Sequence, residues 1–217
     1  MRGPGGDLLR MRDFLNVING FLMLRIAPLE TPLAEVPHDK GARLEVRTTP
    51  EAAIAKDTVW GECAGLLRDD FASFAARSFR ELNPRIAFAA NWHFDLVAAK
   101  LAAVRAGHIR RLIVSLPPRH LKSHLASIAF PAWCLGHDPS AQILCVSYAQ
   151  DLADKLSRDC RRILAADWYQ RLFPTRLSPR HQAVPEFETT AQGSRVATSV
   201  GGVLTGRGVE IIVIDDP

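Results

Sequence analysis

Four residues in two places could handle a phosphate and its counter-ion. Lys122 and Ser123 end the stretch SLPPRHLKS (Ser115–Ser123), and Asp215 and Asp216 follow the apolar run IIVI (Ile211–Ile214). A lysine and a serine after a strand and before a helix fill the last two positions of the phosphate-loop pattern G-x-x-x-x-G-K-[ST]. Such a loop aims backbone N–H groups and a helix N-terminus at phosphate oxygens. Both glycine positions are leucine here, Leu116 and Leu121. Leucine at 121 is tolerable if its φ stays negative and its side chain points away, because glycine matters where φ is positive or a phosphate comes close. A carboxylate at the C-terminal end of a strand can hold Mg²⁺ beside phosphates, and a neighbouring acid can orient an attacking water. Taken singly, Lys-Ser after a strand is a chance pairing and Asp-Asp a polar turn. Together, about a hundred residues apart at the ends of two apolar runs, they are far more specific.

Other residues invite chemistry and carry less. His120 and His124 have the spacing of two zinc ligands on a helix, but the glutamate of a zincin is Leu121 and no third ligand is evident. GGVLTGRG (Gly201–Gly208) fails the dinucleotide-binding pattern, because Ile211 stands where the last glycine belongs. Its Thr205 and Arg207 could touch nucleotide or DNA, or simply form a tight connection. Arg158, Arg161 and Arg162 could face DNA, although a solvated helix face is the better reading.

The elements that must position these residues can be read from periodicity. Leu67, Phe71, Phe74 and Ser78 share a face of one helix beginning near Val59 and ended by Asn83–Arg85. Phe94, Val97, Leu101 and Val104 mark a second helix, stopped by Gly107. RLIVSL (Arg111–Leu116) and QILCVSY (Gln142–Tyr148) are short, continuously apolar runs, the pattern of strands buried on both faces. Lys122 to about Leu135 reads as a helix kinked at Pro131. AQDLADKLSRDCRRILAA gives the clearest helix, with Leu152, Leu156, Cys160, Ile163 and Leu164 inward. A polar strand or hairpin is expected over Glu186–Thr198, and a last strand over Glu210–Asp215. Strand, helix, strand, helix, strand predicts an α/β fold: a parallel sheet with helices on both faces.

The totals set bounds. The chain has 217 residues, 47% hydrophobic and 23% charged, enough for one sizeable domain. A net charge of +4 is compatible with a nucleic-acid partner and does not establish one. Cys63, Cys134, Cys145 and Cys160 form no C-x-x-C pair, which predicts buried free thiols in a reducing cytoplasm. The first residues resemble a signal peptide only loosely: Asp7, Asp13, Asn16 and Asn19 interrupt the pattern. No apolar run is long enough for a membrane span. Residues 1–58, broken by Pro28, Pro32, Pro37 and Pro50, read as a weakly structured N-terminal extension before a domain spanning 59–217.

LPPRHLKS, then LASIAFPAWCLGHDPSAQILCVSYAQDLADKLSRDCRRIL, then WYQRLFP and GGVLTGRGVEIIVIDDP resemble the large terminase subunit of tailed bacteriophages, the motor that packages DNA into a capsid. The resemblance runs from about Leu66 to Pro217. The family loop usually reads Pro-Pro-Arg-His-Gly-Lys-Ser, so Leu121 departs from it. NWHFDLVAAKLAAVRAGHIRRLIV is similar to the entry into the family's ATPase domain.

The resemblance implies a P-loop NTPase (ASCE-type) fold, a parallel sheet flanked by helices and incomplete at the C-terminus, using ATP and Mg²⁺. It implies that Pro118, Arg119, His120, Leu121, Lys122 and Ser123 surround the nucleotide. Lys122 would meet the β- and γ-phosphates, Ser123 and Asp215 would bind the metal, and Arg119 would stabilise the γ-phosphate. Asp216 stands where these motors place a catalytic glutamate, one methylene longer. Asn91, Trp92 and His93 lie where the family approaches the adenine, while a tryptophan such as Trp92 more often lines a core or groove. The implied partners are double-stranded DNA, a small terminase subunit, a portal protein and further copies of the chain in a ring, in the cytoplasm of a bacterial host and without a membrane. Relatives continue past the acid pair into a nuclease domain, so the chain is expected to be a fragment with an exposed sheet edge, marginal stability and impaired turnover. A helicase-like translocating ATPase and a non-catalytic remnant binding DNA or a capsid component are the alternatives.

Overall fold

The computed structural model describes residues 21–26, 54–202 and 208–216. These residues form an α/β protein built on one seven-stranded mixed sheet. The strands are β1 (Phe21–Ile26), β2 (Arg111–Ser115), β3 (Gln142–Ser147), β4 (Leu177–Gln182), β5 (Glu186–Thr189), β6 (Ser194–Ser199) and β7 (Ile211–Asp215). Their order across the sheet is β2-β1-β7-β3-β6-β5-β4. Only β7, β3 and β6 pair in parallel with one another. β1 is antiparallel to both its neighbours, and β4 and β5 pair antiparallel beside β6. The wholly parallel sheet expected from the alternation of elements is therefore corrected to a mixed one. The expectation failed at two places: a strand arising within residues 1–58, and a polar hairpin extending the far edge.

β1 lies inside the segment read as a weakly structured extension. FLMLRI suits a strand, and it occupies the slot between β2 and β7. Because β1 opposes both neighbours, β2 and β7 point the same way. Phe21 pairs with Ser115, and Leu22 pairs with Asp215. The C-terminal ends of β2 and β7 thus reach the same rim of the sheet. Apart from β1 and the start of the first helix, residues 1–58 lie outside the described residues.

The helices are α1 (Ile54–Asp69), α2 (Phe71–Leu82), α3 (Trp92–Arg105), α4 (Phe130–His137), α5 (Gln150–Ala165) and α6 (Asp167–Leu172). The single helix expected from Val59 to Leu82 is two. Asp70 has an extended backbone and its carboxylate accepts a hydrogen bond from the Ser73 N–H at 2.8 Å, so it caps α2 and ends α1. A π-helical stretch, His124–Ala129, runs directly into α4. The kink expected at Pro131 takes this form: the missing proline N–H is absorbed by a wider turn upstream.

The main core draws Val114, Ile143, Cys145, Ile211 and Val213 from one face of the sheet. Against it lie the π-helical stretch, α4 and the inner stripe of α5, including Leu156, Cys160, Ile163 and Leu164. An aromatic cluster ties the helices together: Phe71 meets Phe130 and Trp133, and Phe74 meets Trp168 and Tyr169. Tyr169 adds a hydroxyl hydrogen bond to the Ala132 carbonyl at 2.8 Å. Each such buried ring contributes about 1.5–3 kcal/mol, which holds the helix following residues 115–123 rigidly over the sheet.

β3 is buried on both faces as its apolar run predicts. β2 is not: it is an edge strand, with Arg111, Ile113 and Ser115 exposed. β4, the opposite edge, contains Pro179 and Arg180, residues that blunt an edge against further pairing. Cys134, Cys145 and Cys160 are buried free thiols, but Cys63 is exposed on α1, which corrects that expectation for one of the four.

Candidate functional site

β2 and β7 are separated by β1, so their ends stand two strand spacings apart, roughly 10 Å. Residues 116–121 leave β2 and cross that gap. Lys122 then opens the helix, with Leu125 N–H bonded to the Leu121 carbonyl at 2.9 Å. The N–H groups of Lys122, Ser123 and His124 precede that first helical bond, so they face the loop as free donors in the manner of any helix start. Lys122 is only 8% exposed. Its ammonium donates a short charge-assisted hydrogen bond to Asp216 and lies 3.9 Å from Asp215 Oδ1. The lysine and both aspartates, nearly a hundred residues apart in sequence, therefore meet at one rim.

Asp215 is 1% exposed. Ser127 Oγ donates to its Oδ2 at 3.0 Å, while Oδ1 is buried without a hydrogen-bond partner. Burial pushes the carboxyl pKa above its ordinary value, and the Asp216 charge adds to this; the Ser123 and Ser127 hydroxyls and the Lys122 charge offset part of it. Asp216 is more exposed and has φ +47, a left-handed conformation that asparagine and aspartate adopt more readily than other side chains. Its carbonyl accepts from the Tyr148 N–H at 3.1 Å, which links the acid pair to the end of β3.

Lys122, Asp216 and Tyr148 line a pocket of about 1190 Å³. That slightly exceeds the roughly 300–1,000 Å³ usual for ligand clefts and suits a large, charged ligand. Residues 115–124 form one wall, Phe79 and Leu82 of α2 with Asn83 just after it another, and Tyr148, Lys155 and Asp159 the far side. Pro118, Arg119, His120, Leu121, Lys122 and Ser123, the six residues expected around a nucleotide, all line it.

The loop conformation overturns one condition set from sequence. Leu121 has φ +61, not a negative φ, and Arg119 has φ +66. Both positions use the left-handed region in which a side chain costs about 1–2 kcal/mol per residue. The backbone at 121 is the kind that favours glycine, and leucine bears it. Its side chain packs against the core from a half-buried position.

His120 and His124 do not converge. His120 Nδ1 lies 3.0 Å from the Pro118 carbonyl, and its ring sits 5.1 Å from that of His93. His124 is buried, with Nε2 2.9 Å from the Ala75 carbonyl. Among the described residues no group of three or more His, Cys, Asp or Glu could hold a metal. That leaves no closed all-protein cage among the described residues; Mg²⁺, the ion expected from sequence, binds through one or two carboxylates plus ligand oxygens and does not need one. The unpartnered Oδ1 of Asp215, beside the Ser123 hydroxyl, is the donor set such an ion would use. Trp92, expected in a core or groove, is 73% exposed at the start of α3. Arg161 donates to the Gln182 carbonyl and Arg162 pairs with Asp159. Thr205 and Arg207 lie outside the described residues. No helix among the described residues is long and apolar enough to cross a membrane.

Sequence reasoning did not single out Ser127 or Tyr148. Ser127 lies four residues after Ser123 and so returns to the same helix face, a spacing that could have flagged it. Comparison with family models, with curated proteins and with solved structures finds no match to this chain.

Proposed function

We propose that the chain is an ATP-binding segment of P-loop NTPase type, from the motor of a DNA-packaging terminase large subunit. The observation that carries the reading is the meeting of buried Lys122 with Asp215 and Asp216 beside one large pocket, which Lys122 and Asp216 line. The terminase assignment rests further on the PPRHLKS, WYQRLFP and VIDDP segments quoted above.

In this reading the triphosphate lies along residues 118–123, and its β- and γ-oxygens take Lys122 from Asp216. Ser123 and Asp215 would hold Mg²⁺, which would supply neutralisation of the phosphate charge. Arg119, exposed on the loop, swings a guanidinium toward the γ-phosphoryl oxygens. Asp216, released from Lys122, orients a water and accepts its proton. The water oxygen bonds to the γ-phosphorus, the bond to the β–γ bridging oxygen breaks, and ADP leaves with that electron pair. Closure around ATP would move double-stranded DNA, with the small subunit, a portal and a ring of copies as partners in a bacterial host.

Titration with a fluorescent ATP analogue tests the reading. Wild type should bind and Lys122→Ala should lose at least tenfold in affinity, the loss of a hydrogen bond to a charged group. Equal, poor binding by both would leave a non-catalytic remnant. Binding lost in Lys122→Ala together with processive unwinding of duplex DNA would favour a helicase-like ATPase.

A further inference from the structure

Arg195, on β6, heads the fully buried side chains by size, at 0% exposure. It pairs across the sheet with Ile143, on the face that carries the core. Nη2 donates to the Ser127 carbonyl at 2.9 Å, while Nε and Nη1 have no hydrogen-bond partner. Among the described residues it forms no ion pair. A guanidinium so placed is costly unless the structure uses its charge and its donors.

Ser127 explains the use. In an α-helix its carbonyl would accept from the backbone N–H four residues on, but that residue is Pro131. The chain responds with the π-helical stretch, in which the Phe130 N–H reaches back to the Leu125 carbonyl. The Ser127 carbonyl turns to the Arg195 guanidinium. The same serine's hydroxyl donates to Asp215 Oδ2 at 3.0 Å. One residue thus joins a buried cation to a buried carboxylate, taking a hydrogen bond at its carbonyl and giving one from its hydroxyl. Asp215 Oδ1, opposite that anchored oxygen, is buried without a hydrogen-bond partner, 3.9 Å from Lys122 Nζ, next to the pocket that Lys122, Ser123 and Asp216 line.

We propose that Arg195 is a positioning residue: by holding the Ser127 carbonyl, it fixes the Ser127 hydroxyl on Asp215 and presents the second carboxylate oxygen for Mg²⁺. This rests on the nucleotide-site reading above. Partners that orient metal ligands from behind are worth about 10–100-fold in metal affinity, and Arg195 acts from one residue further back.

The test titrates a fluorescent ATP analogue into the full chain, first in EDTA and then across Mg²⁺ concentrations. Arg195→Met keeps the length of the side chain and removes its charge and donors. It should raise the Mg²⁺ concentration at half-effect by about tenfold, with Mg²⁺-free affinity through Lys122 unchanged. Ser127→Ala should do the same, the double variant should be no worse than either single one, and Arg195→Lys should recover most of the effect. Thermal unfolding checks each fold, and if Arg195→Met does not fold, Ser127→Ala and Arg195→Lys carry the test. An unchanged Mg²⁺ midpoint in folded variants, equal losses with and without Mg²⁺, or additive effects in the double variant would overturn the proposal while leaving the nucleotide site standing. Wild type that binds no analogue in either condition would overturn both.

Discussion

Leu121 offers a test that separates backbone conformation from side-chain packing. Its φ of +61 places a Cβ in the left-handed region, at a cost of about 1–2 kcal/mol. Alanine keeps that cost and glycine removes it, while glycine adds about 0.5–1 kcal/mol of backbone entropy loss relative to alanine. Both substitutions forfeit the same half-buried leucine contacts with the core. The packing loss therefore cancels in the comparison between them. Leu121→Gly should be more stable than Leu121→Ala by about 0.5–1 kcal/mol, the reverse of their order inside a helix. Urea unfolding followed by circular dichroism reads this as a midpoint difference. With a slope of about 2 kcal/mol/M, the glycine variant should unfold roughly 0.25–0.5 M later. Alanine equal to or better than glycine would refute the left-handed loop, and with it the argument that this position is built for glycine.

Three further outcomes follow from other parts of the molecule. Asp215→Asn should be more stable than wild type near neutral pH by about 0.5–2 kcal/mol, because burial raises the carboxyl pKa and the folded state favours the neutral form. That advantage should shrink as pH falls through the raised folded-state pKa and be gone below 3.8, where the carboxylate is protonated in both states. His137 is held neutral by burial and by the nearby Arg105 charge, its pKa lowered from 6.5 to about 4. Its contribution to stability is complete above pH 6.5 and is lost as pH falls toward 4, so His137→Gln should flatten part of the acid limb of a stability–pH profile. Gly193→Ala would place a Cβ 2.2 Å from the Pro139 carbonyl oxygen. Backbone there must shift, and a loss of about 1–3 kcal/mol in chemical denaturation is expected.

Local pattern carried much of the fold. The inner stripe of α5 and the apolar runs of β3 and β7 follow from periodicity and length, because each buries one face or both in a single core. β2 misled because an apolar run does not say whether a strand is central or at an edge, where Ile113 ends up 57% exposed. β4 gave no signal: LSPRHQ is polar and carries a proline, and it pairs only because β5 lies beside it. β1 was hidden among prolines, and its place between β2 and β7 depends on a vacancy elsewhere in the sheet rather than on FLMLRI itself. Within the site, the lysine, serine and aspartates were legible because their types and flanking strands are specific. Arg195 was not. SRVATS reads as a polar strand with a solvated arginine, and only the proline four residues beyond Ser127 hints that a carbonyl needs an outside donor.

The central claim is that Lys122 and Asp215 act on one triphosphate and its ion. A double-mutant cycle on the affinity for Mg²⁺-ATP, with Lys122→Ala, Asp215→Asn and the pair, tests it most directly. Residues that share a ligand and lie within contact distance couple by about 0.5–3 kcal/mol, so the combined loss should differ from the sum of the single losses by that amount. Strictly additive losses, or a wild type that binds no Mg²⁺-ATP, would contradict it.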